Sequence, residues 1–149
     1  DRFGSLARTL GDRGLAVAVL AAPGEEPLAE EVARTSGGAA VVLPSPGLPF
    51  LVEVIRRAGF FVSADTGPLH VASALRTPVL GLFGPKDPAV YGPYGRRQDG
   101  TPGTLPVLVR EDVACRPCGL RRCGDPLCMR GLEPAAVVER LVALGLVPS

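Results

Sequence analysis

The densest group of residues able to do chemistry lies between positions 60 and 88. An apolar run at 60–64 ends in Asp65, Thr66 and Gly67, and a short helix is predicted to begin there. A helix N-terminus presents unpaired N–H groups and positive potential, which suits a phosphate group. Thr66 can add a hydroxyl, and Gly67 lets the backbone approach a ligand closely. The pattern therefore predicts an anion site at this turn.

Two further residues are predicted to join this site. His70, the single histidine, follows Thr66 by one helical turn and so lies on the same face. The next apolar run ends in a rigid loop, 84–88, which holds the only lysine, Lys86. Ligands of open α/β sheets bind at the carboxyl ends of strands, so both loops are expected at one edge. The alternatives are a capped turn without a ligand, a solvated histidine and plain turn chemistry.

All the cysteines lie in one stretch, 111–131, which interrupts the pattern of the rest. They are Cys115, Cys118, Cys123 and Cys128. Four thiolates could form a closed tetrahedral zinc site, although two CxxC pairs usually stand about 15–20 residues apart. Disulfides and reduced thiols are the alternatives. We expect a structural staple of this loop. A redox enzyme is not expected, because neither cysteine of the CxxC lies at a strand-to-helix turn.

Helices and strands alternate along the rest of the chain. Apolar runs predict strands at 15–21, 39–43, 60–64, 78–84 and 104–109. Apolar residues at helical spacing predict helices at 2–13, 25–35, 48–59, 67–75 and 134–145. Pro106 weakens the last strand. This order predicts one α/β domain over 1–149, doubly wound around a mostly parallel, Rossmann-like sheet.

Composition limits the class of function. The 149 residues, 46% hydrophobic and 21% charged, suit a soluble globular domain. A net charge of +1 gives no strong electrostatic case for nucleic-acid binding. No apolar run nears the roughly 18 residues of a membrane span. The chain starts at Asp1 without a charged-then-apolar leader, so we expect no signal peptide and a piece of a longer protein. Few amide side chains and many prolines fit a thermophile or, equally, a GC-rich genome.

The run FVSADTGPLHVASALRTPVLGLFGPKDPAVYGPYG closely resembles the signature of the ADP-heptose:lipopolysaccharide heptosyltransferases, glycosyltransferase family nine. The shared pattern is D-[ST]-G-x-x-H, T-P, F-G-P, D-P and P-Y-G. It is carried here by Asp65, Thr66, Gly67, His70, Thr77-Pro78, Phe83-Gly84-Pro85, Asp87-Pro88 and Pro93-Tyr94-Gly95. The order of the preceding elements is similar as well, so the resemblance covers almost the whole chain.

The resemblance implies the carboxy-terminal, donor-binding half of a two-domain GT-B enzyme. Such an enzyme transfers a heptose-like sugar from a nucleoside diphosphate, ADP-heptose, with inversion. The acceptor-binding amino-terminal domain with its Asp general base, and the Lys-x-Trp-Pro segment that meets the diphosphate, are absent here. We therefore expect a nucleotide-sugar-binding domain without a catalytic residue, a catalytic cofactor or activity of its own. The implied partners are the sugar donor and a lipid-linked glycan such as the lipopolysaccharide core, met in the cytoplasm at the membrane's inner face.

The resemblance also implies roles for the residues of the predicted anion site. Thr66 and the N–H of Gly67 would hold the donor diphosphate and stabilise the charge on the leaving group. Asp65 would bind sugar hydroxyls or orient the loop, because a carboxylate repels phosphate. His70 would contact the phosphate or the sugar.

Three residues fit the resemblance less closely. Glu25 or Glu26 is similar to a family glutamate that accepts hydrogen bonds from ribose hydroxyls, and the alternative is favourable charge at a helix start. The family has Thr or Ser where Lys86 stands, so a phosphate role for Lys86 departs from the family pattern.

A second class of function is open for the cysteine loop. Arg116, Arg121, Arg122 and Arg130 could contact nucleic acid or a protein partner, form a solvated face, or meet an anionic lipid surface. Salt-dependent binding to DNA or RNA without ADP binding would favour a small binding module. A third alternative is another nucleotide-sugar enzyme of GT-B architecture, such as an epimerase.

Overall fold

The structure, a computed structural model, describes residues 2–44, 47–97, 100–110, 112–120 and 123–148. They form two compact units, one made of Asp1–Phe50 and Glu133–Ser149 and the other of Leu51–Leu132. Within these residues, none of the helices combines the length and apolar character that crossing a bilayer demands.

Seven helices and seven strands are assigned in the described residues. In chain order they are α1 (Arg2–Asp12), β1 (Val17–Val19), α2 (Glu26–Thr35), β2 (Ala40–Val42), α3 (Leu48–Arg57), β3 (Phe61–Ala64), α4 (Gly67–Ala74), β4 (Val79–Phe83), α5 (Pro88–Tyr91), β5 (Tyr94–Arg96), β6 (Pro102–Thr104), β7 (Val107–Val109), α6 (Leu127–Arg130) and α7 (Pro134–Ala143). The five predicted helices are confirmed within shorter bounds. The short helices α5 and α6 and the strands β5 and β6 were not predicted.

The first unit packs three helices with a pair of parallel strands. Strands β1 and β2 pair with Val17 opposite Ala40, and α1 packs against both α2 and α7. Helix α1 buries Leu6, Ala7 and Leu10 along one face, as the apolar spacing predicts. Gly4 lies so near α2 that an added Cβ would overlap the Thr35 side chain, so a small residue allows this close packing.

The second unit is built on a parallel three-stranded sheet in the order β3-β4-β7. Phe61 pairs with Val79, and Gly81 pairs with Val107. Strand β4 is buried at all five positions, as a continuous apolar run predicts for a central parallel strand. The parallel α/β fold class is therefore confirmed. Because β3 and β4 run side by side in the same direction, the loops that follow them lie at one edge of the sheet.

The prediction of a single strand over 104–109 is wrong in its first half. Thr104 ends β6, which pairs antiparallel with β5, and β7 begins only at Val107. Pro106 stands between the two strands and has no N–H to give to a ladder, while its carbonyl accepts a hydrogen bond from the Gly81 N–H at 3.0 Å. The proline therefore separates a hairpin strand from a parallel one.

Candidate functional site

The turn after β3 brings a hydroxyl and a carboxylate to the start of α4. Thr66 occupies the N-cap position with an extended backbone, φ −141° and ψ 164°. In this stretch, all of which the structure describes, its side chain does not cap the helix, and its hydroxyl lies 2.9 Å from that of Ser63. The capped-turn alternative therefore does not describe what the Thr66 side chain does here.

Asp65 is the centre of the polar cluster at this edge of the sheet. Lys86 Nζ lies 2.9 Å from Asp65 Oδ2, and His70 Nε2 lies 3.8 Å from Asp65 Oδ1. The Asp65 side chain is 19% exposed, whereas about half of each partner's side chain is exposed (49% for His70 and 51% for Lys86). The structure thus brings three of the predicted residues together, and Lys86 matches the charge of the partly buried carboxylate.

The ammonium of Lys86 has a second contact. Its Nζ lies 4.8 Å from the centre of the Tyr91 ring, within the roughly 6 Å of a cation–π interaction. Tyr91 ends α5, which Asp87 caps by accepting a hydrogen bond from the Ala89 N–H at 2.8 Å. Sequence reasoning missed Tyr91. The pair Asp87-Pro88 could have revealed the short helix that carries it, because an N-cap Asp followed by Pro is a helix-start signal.

A cleft of about 880 Å³ opens beside the ion pair, wholly within the second unit. Asp65 and Lys86 line it, and its apolar walls include Leu82, Val90, Tyr91, Leu120 and Met129. The volume falls within the roughly 300–1,000 Å³ typical of small-molecule sites. A charged corner with apolar walls suits a ligand that joins an anionic group to a ring.

The cysteine loop supplies one wall of this cleft and also binds the Lys86 loop. The guanidinium of Arg116 donates hydrogen bonds to the carbonyls of Gly84, Lys86 and Arg110, and the Cys118 N–H donates to the Pro85 carbonyl at 2.8 Å. The sequence predicts for Arg116 a contact with nucleic acid, a protein partner or an anionic lipid surface, or a place on a solvated face. Its actual partners depend on the path of a long loop, which no local signal in the sequence reveals.

Of the three other arginines in the cysteine loop, the structure describes Arg130. Arg130 forms an ion pair with Asp125. Arg121 and Arg122 lie outside the described residues. The two described members, Arg116 and Arg130, therefore bind groups of this chain, which gives the nucleic-acid alternative no support.

The four cysteines are not gathered into one centre. Cys115 and Cys123 are exposed, Cys118 is half-buried and Cys128 is buried, all as free thiols. In the part of the chain that the structure describes, no three His, Cys, Asp or Glu residues lie close enough to hold a metal ion. Zinc, disulfides and reduced thiols stay predictions, which metal analysis and thiol titration would separate.

Glu25 and Glu26 lie in the first unit, at the start of α2. A carboxylate oxygen of Glu25 accepts a hydrogen bond from the Ala22 N–H at 3.2 Å. Hydrogen bonds from the backbone of Glu26 itself, and then of Gly24, hold the pKa of the Glu26 carboxyl below its ordinary value. Both side chains are exposed, and these backbone contacts are local to the turn.

Comparison with known proteins gives consistent matches. A family model described as glycosyltransferase family 9 (heptosyltransferase) matches residues 1–111. Lipopolysaccharide heptosyltransferase 1 of Pseudomonas aeruginosa is 34% identical over 137 residues, covering 80% of this chain and 36% of that enzyme. Lipopolysaccharide heptosyltransferase 1 of Escherichia coli is 37% identical over 100 residues, covering 66% of this chain and 31% of that enzyme.

A solved structure supports the same relationship. An E. coli heptosyltransferase solved with ADP superposes with a TM-score of 0.72 at 27% identity, covering 95% of this chain and 38% of that one. This chain thus spans about a third of the length of the curated relatives it matches. The family match ends at residue 111, before the first cysteine.

Proposed function

The chain belongs to glycosyltransferase family 9, and from that premise we propose that it binds the nucleoside-diphosphate sugar used as donor. Of the related enzymes with solved structures, one holds ADP and another holds ADP-2-deoxy-2-fluoro heptose. The proposed donor is therefore of the ADP-heptose class. The full-length enzyme would transfer its sugar, with inversion, to a lipopolysaccharide core or related glycan. We expect the acceptor site and the general base in the remaining length of such an enzyme, acting in the cytoplasm at the membrane face.

The contact between Asp65 and Lys86, beside the start of α4, is the observation that carries this proposal. An unmatched carboxylate at this turn would repel a diphosphate. Lys86, 2.9 Å away, offsets that charge. An ammonium has three N–H donors, so the pair with Asp65 leaves donor capacity for a phosphate oxygen. The turn is thereby suited to an anion although it contains an aspartate.

Each residue of the cluster has a proposed role. The Thr66 hydroxyl and the Gly67 N–H bind the diphosphate at the positive end of α4, and a Cβ added at Gly67 would meet nothing within 4 Å, so a ligand can approach. Asp65 and His70 face the sugar. Lys86 and the helix N-terminus stabilise the charge that develops on the leaving group, and we propose that no metal cofactor is needed for that step.

Calorimetric titration of the chain with ADP tests the proposal. Thr66→Ala should weaken ADP binding about fivefold, the size of one neutral hydrogen bond. Thr66→Ser keeps the hydroxyl and should retain wild-type affinity. Thr9→Ala, which removes a threonine hydroxyl from α1, is the matched control and should change nothing. Equal affinity of wild type and Thr66→Ala would contradict the phosphate role, and a wild-type chain that does not bind ADP would contradict donor binding itself.

We also propose that Glu25 or Glu26 accepts hydrogen bonds from the donor ribose. A carboxylate has about four lone-pair positions, so the backbone bonds at this turn leave room for hydroxyl donors. The wild-type chain should then bind ADP about tenfold more tightly than 2′,3′-dideoxy-ADP. Glu25→Ala or Glu26→Ala, which removes the acceptor oxygens, should abolish that preference. If both variants keep it, these glutamates serve only the start of α2.

A further inference from the structure

A single short segment of the cysteine loop binds three consecutive carbonyls of the loop that carries Lys86. The Arg116 guanidinium donates to the Gly84 carbonyl and, at 3.1 Å, to the Lys86 carbonyl. The Cys118 N–H donates to the Pro85 carbonyl between them. Arg116 also donates to the Arg110 carbonyl at 3.2 Å, just after β7. One guanidinium therefore joins the ends of two neighbouring strands.

From these contacts we infer that Arg116 is a positioning residue that sets the place of the Lys86 ammonium in the donor site. The inference rests on the proposed function only for the role of Lys86 toward the donor. A lysine ammonium ends a flexible four-carbon stem, so its place is defined only when its backbone is fixed too. Arg116 fixes that backbone at the Lys86 carbonyl, while Asp65 and the Tyr91 ring receive the ammonium.

The chemistry of the guanidinium suits this task. Its planar fork of five N–H donors can bridge several acceptors at fixed angles, which a lysine cannot do. Arg116 is half-buried in this position. It also lies beyond residue 111, where the family match ends, so the cysteine loop supplies a part of the site that the family pattern did not reveal.

The single lysine makes the inference directly measurable. A chain labelled with ¹³C-lysine gives one ε-methylene NMR signal, which the Tyr91 ring should shift upfield because Nζ lies 4.8 Å above its centre. Tyr91→Leu removes the ring and marks the unshifted position. Arg116→Gln should move the signal most of the way to that position. Arg130→Gln, an arginine of the same loop whose partner is Asp125, is the matched control and should leave the signal in place.

The NMR outcomes decide the inference. A wild-type signal position in Arg116→Gln would overturn it. Cooperative unfolding, followed by circular dichroism, shows whether Arg116→Gln is folded. If it is not, Arg116→Met, which keeps the aliphatic stem, is the second variant. If neither variant folds, the guanidinium supports the whole unit rather than Lys86, and the positioning role is wrong.

ADP titration separates this inference from the proposed function. Lys86→Met should weaken ADP binding about fivefold. This is the size expected for one charge-assisted hydrogen bond whose strength is reduced by solvent exposure. Arg116→Gln should weaken it by no more than that, and the double variant should match Lys86→Met alone. Multiplied losses in the double variant would show that Arg116 acts independently of Lys86. A wild-type chain without ADP affinity would refute donor binding, while the NMR result would still decide the positioning role.

Discussion

Helices α2 and α4 each begin soon after a parallel strand and carry carboxylates at their start, yet these carboxylates are held in different ways. At α2, Glu25 and Glu26 are bound by backbone N–H groups of their own turn. At α4, Asp65 is bound by Lys86, which lies beyond the next strand. The first arrangement needs only a local turn. The second forms only when β3 and β4 are paired in register.

This difference indicates that the turn at the start of α4 depends on other elements of its unit, whereas the turn at the start of α2 does not. The Asp65 cluster depends on the end of β4, on α5 and on the Arg116 contacts. A change in any of these elements should therefore alter the contact between Asp65 and Lys86. The α2 turn should be insensitive to them. Asp65, whose partner comes from another element, is therefore a better candidate for a ligand site than a carboxylate that is bound only by its own turn.

The largest predicted effect comes from crowding the end of β4. A Cβ at Gly84 would overlap Sδ and Cγ of Met129, so Gly84→Ala should lower the free energy of unfolding by about 1–3 kcal/mol. Because Met129 lines the cleft, its displacement should also weaken ADP binding. Gly119→Ala is the control, because a Cβ there meets nothing within 4 Å, and it should stay within about 0.5 kcal/mol of wild type. Urea unfolding measures both, and equal midpoints would show that the loop after β4 yields freely.

The next effect compares the ion pair at the start of α4 with an exposed ion pair near the end of α2. Lys86→Met keeps the apolar stem, removes the partner of Asp65 and should weaken ADP binding about fivefold. Arg34→Met removes the exposed partner of Glu31 on α2, 2.7 Å away, and should leave ADP affinity unchanged with at most about 0.5 kcal/mol of lost stability. Calorimetry and urea unfolding of both variants give the comparison. An equal loss of ADP affinity in the two would remove the distinction between the turns.

The sequence predicted the parts of this picture that local pattern controls. Helical spacing and apolar runs predicted the main helices and the parallel strands, and the strand ends predicted that the loops holding Asp65 and Lys86 share one edge. The placement of Thr66 at the start of α4 followed from the same pattern. These features could be predicted because each depends on a few neighbouring residues and on one rule of sheet topology.

The remaining features depend on where the chain goes between elements. The sequence does not predict the hairpin β5–β6, because Pro106 by itself indicates a weakened strand over 104–109 as readily as a break between two strands. The contacts of Arg116 with the Gly84 and Lys86 carbonyls join distant positions through an irregular loop, and such loops carry no periodic signal. The roles of Glu25 and Glu26 toward a ligand stay predictions.

The smallest predicted effect concerns the α2 turn and depends on pH. Backbone hydrogen bonds lower the pKa of Glu26 in the folded chain from its ordinary 4.5, so folding favours the ionised carboxyl. That contribution to stability is complete above the ordinary value and is lost as the pH falls through the lower, folded value. Glu26→Gln should therefore have a slightly lower urea midpoint than wild type at neutral pH, and the two midpoints should converge in acid.

Urea unfolding of a second variant at the same pH values tests whether the effect belongs to the turn at the start of α2. Glu30→Gln removes a glutamate from α2 after its first turn, so it controls for the loss of one negative charge on that helix. If Glu30→Gln reproduces the pH-dependent difference, the backbone bonds at the α2 start do not cause it. If only Glu26→Gln shows the difference, the first-turn carboxylate stabilises its own helix. The loss of Lys86 would then register in ADP affinity, and the loss of Glu26 in the pH dependence of folding, whatever its effect on the preference for ADP over 2′,3′-dideoxy-ADP.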